Sequence, residues 1–172
     1  MKGEIYKIRY AKVSDARALA EIHVNSWQEA YKGIIPDEVL KNITVEKREK
    51  YFTKVLTERT EDDAIIFKNN EAVGFITIGK CRDKDKTKDY GEVWVLYLLP
   101  DYWRKGIGCK LIKWGLEELR KRDYKKVTLW VLEKNSKARN FYEKIGFNYY
   151  GTVNKINIGE NLNECRYEMV LD

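Results

Sequence analysis

The sequence has little of what disulfide frameworks, metal centres and membrane spans require. Its three cysteines, Cys81, Cys109 and Cys165, are odd in number and far apart, with no CxxC pair, and His23 is the only histidine. We therefore expect neither a disulfide framework nor a metal site. No apolar run approaches the roughly 18 residues of a membrane-spanning helix, and the first residues lack a signal-peptide pattern. A cytoplasmic location without a membrane partner is the expectation.

Proline is also scarce, with two residues in 172, and no repeat, low-complexity tract or Pro/Ser-rich linker interrupts the chain. The length suits one hydrophobic core, so we predict a single domain over residues 1–172. The net charge is +6, but acidic residues are interspersed with the basic ones, and the alternating run 82–89 is interpreted as a solvated loop. The basic run 120–126 lies at the end of a predicted helix, where cations are favourable. This pattern suits a multiply charged small ligand and does not favour nucleic-acid binding.

The most informative segment runs from Leu96 to Ile112, where an apolar strand leads through Pro100 into a loop with Gly106 and Gly108 and then into a helix. Glycine lets a backbone approach a ligand closely, and the first helical turn has N–H groups without intrahelical partners. Together with the helix dipole, these groups favour a bound pyrophosphate. The spacing fits neither a G-x-G-x-x-G dinucleotide loop nor a Walker loop. From the loop alone, the alternative is a strand-to-helix connection that binds nothing.

A second segment makes the pattern more specific. After the apolar strand 127–132, the sequence from Asn135 to Phe147 reads NSKARNFYEKIGF. Together the two segments resemble the GNAT superfamily of acetyl-CoA-dependent N-acetyltransferases, in particular a bacterial subgroup, many of whose members have no assigned substrate. The superfamily patterns [QR]-x-x-G-x-[GA] and N-x-x-A-x-x-F-Y-x-x-x-G-F are matched here in order and spacing. One departure is Trp103 at the [QR] position, with Arg104 one residue later.

The resemblance implies the GNAT acyl-CoA N-acyltransferase fold, of mixed α/β class, with a central mixed sheet of about seven strands flanked by helices. The hydrophobic pattern predicts a compatible order of elements, with Ser14 and Thr44 as helix N-caps and a hairpin turn at Asn69–Asn70. The predicted strands are 5–10, 64–67, 72–79, 90–98, 127–132, 149–158 and 164–171, and the predicted helices are 14–31, 37–41, 44–57, 108–122 and 136–145.

Acetyl-CoA is the cofactor that the resemblance implies. In the superfamily, the loop backbone holds the pyrophosphate, and the preceding strand and the asparagine of the next segment contact the pantetheine arm. Asn135 equally suits a helix N-cap. We also expect a large side chain at Gly108 to fill the pyrophosphate site. Carried over to this chain, the cofactor-binding residues are Tyr97, Leu98, Leu99, Arg104, Lys105, Gly106, Ile107, Gly108, Cys109, Asn135, Ala138 and Tyr142.

Two catalytic residues are predicted from the same resemblance. Tyr142 matches a tyrosine whose hydroxyl group lies near the sulfur atom and can protonate the departing thiolate, and the alternative is a half-buried core tyrosine. Glu92 lies on the strand before the glycine loop, where the histone-acetylating branch has a glutamate base. It can remove a proton from the amine, directly or through a water, because amines are mostly protonated at neutral pH. The alternatives are a solvated glutamate at a strand start, or a base at Glu21 or Glu29 on the first helix.

The acceptor pocket is the least informative part. Trp27 and Tyr31 are one helical turn apart, so they either line a substrate pocket that suits a cationic amine or belong to the core. His23 is interpreted as a structural residue or as part of that pocket. The predicted function is acetyl transfer to a primary amine of a small molecule, a polyamine or a peptide N-terminus, in a direct ternary complex. A non-catalytic acyl-CoA-binding regulatory module is the alternative, and a homodimer is left open.

Overall fold

The computed structural model describes residues 5–171. Seven strands and five helices follow the predicted order, joined by two short 3-10 turns at Val13–Asp15 and Pro100–Tyr102. The elements are β1 (Tyr6–Tyr10), α1 (Ala16–Ala30), α2 (Asp37–Asn42), α3 (Val45–Glu58), β2 (Asp62–Lys68), β3 (Glu71–Lys80), β4 (Tyr90–Leu98), α4 (Ile107–Lys121), β5 (Lys126–Leu132), α5 (Ser136–Ile145), β6 (Asn148–Asn157) and β7 (Asn161–Val170).

The strands form one sheet in the order β1-β2-β3-β4-β5-β7-β6. All neighbours are antiparallel except β4 and β5, which are parallel. Their pairing extends only over residues 90–92 of β4 and 126–128 of β5. Beyond that point the two strands separate, and residues 94–97 of this central strand are only partly buried. The sheet is therefore split in its middle, and one edge of β4 faces the opening.

Helices cover both faces of the sheet. On one face α1 and α3 pack through Leu19, Ile22 and Phe52 against Phe75, which is fully buried. On the other face α4 and α5 pack on the larger core, where α4 approaches β3 closely at Gly115. A Cβ atom at Gly115 would lie 2.6 Å from the Cδ1 atom of Ile76. The amphipathic pattern of these helices thus places the apolar side of each against the sheet.

Most predicted boundaries agree with the structure, but one predicted cap is wrong. Thr44 caps α3, where its hydroxyl group accepts a hydrogen bond from the N–H of Lys47. Ser14 does not cap α1, because it lies inside the preceding 3-10 turn. The Asp15 carboxylate instead accepts the N–H of Lys12 at 2.7 Å. A short polar side chain before a helical pattern indicates roughly where the helix begins. The 3-10 turn determines which residue caps it.

A β-bulge in β4 changes which side chains share a face. Thr77 of β3 pairs with Val95 and Ile78 pairs with Val93, so Trp94 is the extra residue. Glu92 therefore shares its face with Tyr97, toward α1 and α3, and not with Leu98 as strict alternation would require. This places the predicted base on the same side of the sheet as the first helix.

Candidate functional site

The loop after β4 has a backbone shape typical of an anion site. Trp103 is extended, and Arg104 and Gly106 have positive φ values of 59° and 76° before α4 begins at Ile107. A Cβ atom at Gly106 would meet no atom within 4 Å. Left-handed residues alternating with extended or helical ones turn successive N–H groups toward one side and form a concave nest.

The N–H groups of this loop are free of acceptors. Within residues 5–171, none of the six N–H groups of residues 104–109 donates to a protein atom, and the first that does is Lys110, to the carbonyl of Gly106 at 3.3 Å. These six donors lie at the positive end of the α4 dipole. Such a site fits two linked phosphates, so the loop fits the pyrophosphate of coenzyme A.

Gly106 and Gly108 have different roles in this loop. A Cβ atom at Gly108 would lie 3.3 Å from the ring of Phe141 and 3.5 Å from Leu98. Gly108 therefore allows α4 to approach α5 and β4, and it faces the protein. A side chain at Gly108 would first meet Phe141 and Leu98, and the expectation that a large one also fills the pyrophosphate site stays a prediction. Gly106 is the position that faces open space.

The open edge of β4 supplies backbone groups beside the loop. The N–H of Leu99 is bonded to Val73 of β3 at 2.9 Å, so it is not available to a cofactor. Hydrogen bonds alternate along an antiparallel strand, which directs the N–H groups of Leu98 and Leu96 toward the split. The indole N–H of Trp103 donates a hydrogen bond to the carbonyl oxygen of Leu98 at 2.9 Å. Among the residues predicted to contact pantetheine, Tyr97, Leu98 and Leu99, the backbone N–H that faces the split is that of Leu98. The N–H of Leu96 faces the split as well, and the sequence did not single out that residue.

Helix α5 places the second predicted segment against the loop. Asn135 is its N-cap, and the Asn135 side chain accepts the N–H of Ala138 at 3.2 Å. Tyr142 is buried one turn beyond Ala138, with ring contacts to Phe141 and Phe147 at 5.2 and 5.9 Å. Burial raises the pKa of Tyr142 well above its usual value, with a smaller contribution from Tyr97. The hydroxyl group therefore keeps its proton at every physiological pH.

An aromatic cluster lies between α1 and β4. Trp27 and Tyr31 are in edge contact at 4.9 Å, and His23 stacks on Trp27 at 5.2 Å and contacts Tyr97 at 5.3 Å. Burial raises the pKa of Tyr31, and the nearby hydroxyl groups of Tyr97 and Tyr142 add to this rise. The predicted pocket residues are thus brought together with the predicted acid through Tyr97.

His23 is neutral in this cluster. It is buried, and burial lowers its pKa to about 3, with a further contribution from the positive charge of Arg48. Its Nδ1 atom has no hydrogen-bond partner within residues 5–171. A neutral, buried imidazole beside Trp27 and Tyr97 contributes an apolar ring and one polar nitrogen to the pocket wall.

Glu92 has a partner that the sequence did not indicate. Its side chain is 1% exposed, and its carboxylate accepts the backbone N–H of Arg82 at 2.8 Å and an Nη atom of Arg82 at 2.6 Å. The Arg82 guanidinium also stacks on the Trp94 ring at 4.4 Å. The rival bases Glu21 and Glu29 are exposed on α1. Glu92 is therefore the buried carboxylate on the strand that leads to the loop, and Arg82 holds it in place.

Within residues 5–171, no group of three or more His, Cys, Asp or Glu residues is arranged to hold a metal ion. No helix in the same range is long and apolar enough to cross a membrane.

Comparison with known proteins identifies the family. Residues 17–147 match the model of the acetyltransferase (GNAT) family. An N-acetyltransferase of Archaeoglobus fulgidus, named as uncharacterised, is 30% identical over 138 residues, which cover 79% of this chain and 88% of that protein. The spermidine N(1)-acetyltransferase of Thermoplasma acidophilum is 28% identical over 146 residues, which cover 82% of this chain and 87% of that protein.

Solved structures show the same fold. The PaiA N-acetyltransferase from Thermoplasma acidophilum, in complex with coenzyme A, superposes with a TM-score of 0.76 at 23% identity and covers 96% of this chain and 99% of that one. The Salmonella typhimurium protein YncA, solved with its cofactor acetyl-CoA, gives a TM-score of 0.72 at 18% identity over 98% of this chain and 95% of that one. The predicted resemblance and fold class are confirmed. The chain belongs to the acetyltransferase (GNAT) family.

Proposed function

We propose that this chain, as a single domain, binds acetyl-CoA and transfers the acetyl group to a primary amine of a small molecule, a polyamine or a peptide N-terminus. The observation that carries the proposal is the row of six free N–H groups at residues 104–109, set beside the open edge of β4 and the buried hydroxyl group of Tyr142. Each of these features has a separate task in acetyl transfer.

The binding residues follow from this geometry. The N–H groups of Arg104, Lys105, Gly106, Ile107, Gly108 and Cys109 hold the pyrophosphate. Leu98 and Leu96 offer N–H groups from β4 to the pantetheine arm, and Asn135 offers the amide nitrogen that its capping bond leaves free. Ala138 is small enough to let the arm pass between α5 and β4. The arm thus lies in the split of the sheet.

Acetyl-CoA supplies an activated acetyl thioester when bound. Tyr142 holds a proton at its hydroxyl oxygen and can donate a hydrogen bond, or the proton, to the departing sulfur. An N–H group of β4 facing the split can stabilise negative charge on the carbonyl oxygen during transfer. Both groups are fixed by burial or by the sheet, so they need no rearrangement during the reaction.

Glu92 serves as the base in this proposal. Because Trp94 is an extra, bulged residue, Glu92 lies three ladder positions from Leu96, about 10 Å along the strand, so it accepts the amine proton through water. Its ion pair with Arg82 keeps it oriented. The amine then attacks in its neutral form.

The thiols support direct transfer without an acetylated enzyme. Cys165 is fully buried, and burial raises the pKa of the Cys81 thiol, which lowers its thiolate fraction. Cys109 belongs to the pyrophosphate loop. Direct transfer with both substrates bound together needs none of these thiols.

The acceptor is an amine that fits an aromatic wall. Trp27, Tyr31 and Tyr97 offer ring faces and hydroxyl groups, which suit the apolar stem and cationic head of an alkyl amine. The spermidine acetyltransferase among the relatives is consistent with such an acceptor. A cytoplasmic location, the absence of nucleic-acid and membrane partners and a homodimer remain predictions.

The competing function is an acyl-CoA-binding regulatory module without turnover. The test is release of free thiol from acetyl-CoA in the presence of a panel of diamines, amino acids, peptides and aminoglycosides. Release with one class, abolished in Tyr142→Phe, is the expected result. Binding of acetyl-CoA without release for any amine would favour the regulatory module.

A further inference from the structure

The loop between β3 and β4 is tied to the far half of the split sheet. Asp83 accepts the indole N–H of Trp130 on β5 at 3.1 Å and an Nη atom of Arg166 on β7 at 3.2 Å. Asp85 accepts both terminal nitrogens of Arg166 at 2.8 and 2.7 Å. Lys86 pairs with Glu168 of β7 at 2.6 Å. We call these contacts between loop residues 83–86 and residues 130, 166 and 168 the clasp.

The clasp is more than a surface ion pair. The Arg166 side chain is 7% exposed and that of Asp83 is 16% exposed. The hydrogen bonds to Asp85 raise the pKa of Arg166, so its charge persists throughout the working range. Removal of one partner of a buried ion pair leaves an uncompensated charge, which makes such a pair far more sensitive to mutation than an exposed one.

One end of the clasp leads directly to Glu92. Arg82, which grips the Glu92 carboxylate, immediately precedes Asp83 in the chain. Cys81, on the other side of Arg82, lies with its Sγ atom 3.3 Å from the hydroxyl group of Thr128 on β5. Arg82 is thus held between two contacts with the far half of the sheet.

The position of this loop matters because few contacts join the two halves of the sheet. The backbone pairing of β4 with β5 ends at Glu92 and Thr128. The clasp begins at the same place and continues on the face that carries Glu92. It therefore fixes both the width of the split at its closed end and the location of Arg82.

The geometry points to Arg166 as a positioning residue for acetyl transfer, which holds Arg82 on Glu92 through Asp83 and fixes the closed end of the split. This inference rests on the proposed function, because it acts through the proposed base. Arg166 itself touches neither the loop at residues 104–109 nor Tyr142 in any contact seen among residues 5–171.

The charges that face Glu92 indicate what loss of Arg166 does. Arg82 is the cation beside it, while Asp83 and Glu164 are close enough to interact with it or with its partner, and the Cys81 thiol lies next to the same group. Without Arg166, Asp83 and Asp85 lose their cation, and the loop that carries Arg82 loses its anchor on β7. The Glu92 carboxylate then has a less firmly held partner, and the charge of Asp83 beside Arg82 is no longer balanced by Arg166.

The test compares Arg166→Met, Asp85→Asn and Arg166→Lys with wild type. Arg122→Met is the matched control, because Arg122 makes its ion pair with Asp62 of β2 and contacts none of the clasp residues. Two properties are measured: the pH profile of kcat/KM for the amine, and the rate at which a thiol reagent labels Cys81, read by peptide mass spectrometry. Asp85→Asn removes the exposed carboxylate of the clasp and keeps the test valid if Arg166→Met does not fold.

For Arg166→Met, we expect the acid limb of the kcat/KM profile to shift to higher pH by about one unit. On that limb kcat/KM is then about tenfold lower than in wild type, and it recovers at high pH. Cys81 is labelled faster, acetyl-CoA affinity stays near that of wild type, and Arg166→Lys recovers part of the wild-type profile. A loss that is equal at every pH, or unchanged labelling of Cys81, would overturn the inference. If the wild type released no thiol from acetyl-CoA, the proposed function would fail, while the labelling would still decide whether the clasp holds the loop.

Discussion

The carboxylate of Glu92 is held by Arg82 from two directions, by the backbone N–H at 2.8 Å and by an Nη atom at 2.6 Å. One residue therefore both positions the proposed base and balances its charge. The bulge at Trp94 turns this pair toward α1, the helix that carries Trp27 and ends at the cap residue Tyr31. The base and the aromatic wall consequently lie on the same face of the sheet.

The variant Glu92→Gln tests the role of this carboxylate. We expect turnover to fall by about 100-fold near neutral pH, because the amide cannot accept the amine proton. The loss should shrink as the pH rises, since more of the amine is then already neutral. The measurement is kcat/KM for the amine against pH, with Glu21→Gln and Glu29→Gln as controls on α1. A loss that is uniform at every pH would assign Glu92 to positioning only.

Tyr142→Phe tests the proposed acid. The ring is retained between Phe141 and Phe147, so the packing and the affinity for acetyl-CoA should stay near normal. We expect kcat to fall by about 10- to 100-fold, because the departing sulfur loses its proton donor. Steady-state rates and a cofactor titration measure the two effects, and Tyr150→Phe, at an exposed tyrosine, is the control. Unchanged turnover would remove Tyr142 as the acid.

Gly106→Asp tests the pyrophosphate site. Its side chain would enter open space next to the free N–H groups, and its charge would repel a phosphate bound there. Gly151 is a matched control, because it also has a positive φ, of 87°, and no atom within 4 Å of its Cβ position. Both variants should lose about 1 kcal/mol of stability from backbone strain. Only Gly106→Asp should weaken acetyl-CoA binding, by at least about tenfold, and equal affinities in a calorimetric titration would place the phosphates elsewhere.

Two buried groups between the helices and the sheet give opposite pH dependence of stability. Burial lowers the pKa of His23 from 6.5 to about 3, and burial raises the pKa of Asp63 from 3.8 to about 6. As the pH falls below about 6.5, unfolding lets His23 bind a proton, which destabilises the folded state. As the pH falls below about 6, Asp63 binds a proton in the folded state, whereas in the unfolded state it binds one only near pH 3.8. This difference stabilises the folded state. The two slopes, each about 1.4 kcal/mol per pH unit, largely cancel.

Variants at these two positions should separate the slopes. When the pH is lowered from 7 to 5, the free energy of unfolding changes in both proteins. The change in His23→Phe should be about 2 kcal/mol more favourable to the folded state than the change in wild type, because the variant lacks the titrating imidazole. Asp63→Asn should lose about 1.4 kcal/mol on the same comparison. Urea unfolding at the two pH values provides the measurement. The same pH dependence in wild type and both variants would show that neither group titrates as described.

Local patterns predicted most of the fold. The bounds of β4 and α5 agree with the predicted residues 90–98 and 136–145, because an apolar run and an asparagine cap are signals carried by neighbouring residues. The bulge at Trp94 and the 3-10 turn before α1 were not predictable in this way. Both features depend on how a strand or helix packs against elements that are distant in the sequence. The residues next to the bulge or the turn do not indicate that packing.

The site was predicted in part for the same reason. The loop shape at Gly106 followed from local spacing, whereas the direction of Gly108 depends on Phe141, which comes from another helix. The run 82–89 was interpreted as a solvated loop from its alternating charges. Asp83 and Lys86 are instead mostly buried in ion pairs with β7, about 80 residues later in the chain. Charge alternation cannot distinguish a solvated loop from one whose partners are distant in sequence.

A calorimetric titration of the wild-type protein with acetyl-CoA tests the proposed cofactor site most directly. We predict saturable binding at a single site per chain, because residues 104–109 offer one set of free N–H groups. Binding should persist in Gly151→Asp and weaken strongly in Gly106→Asp. Absence of binding by the wild type would contradict the central claim, since the proposed chemistry of Tyr142 and Glu92 depends on a cofactor held by that loop.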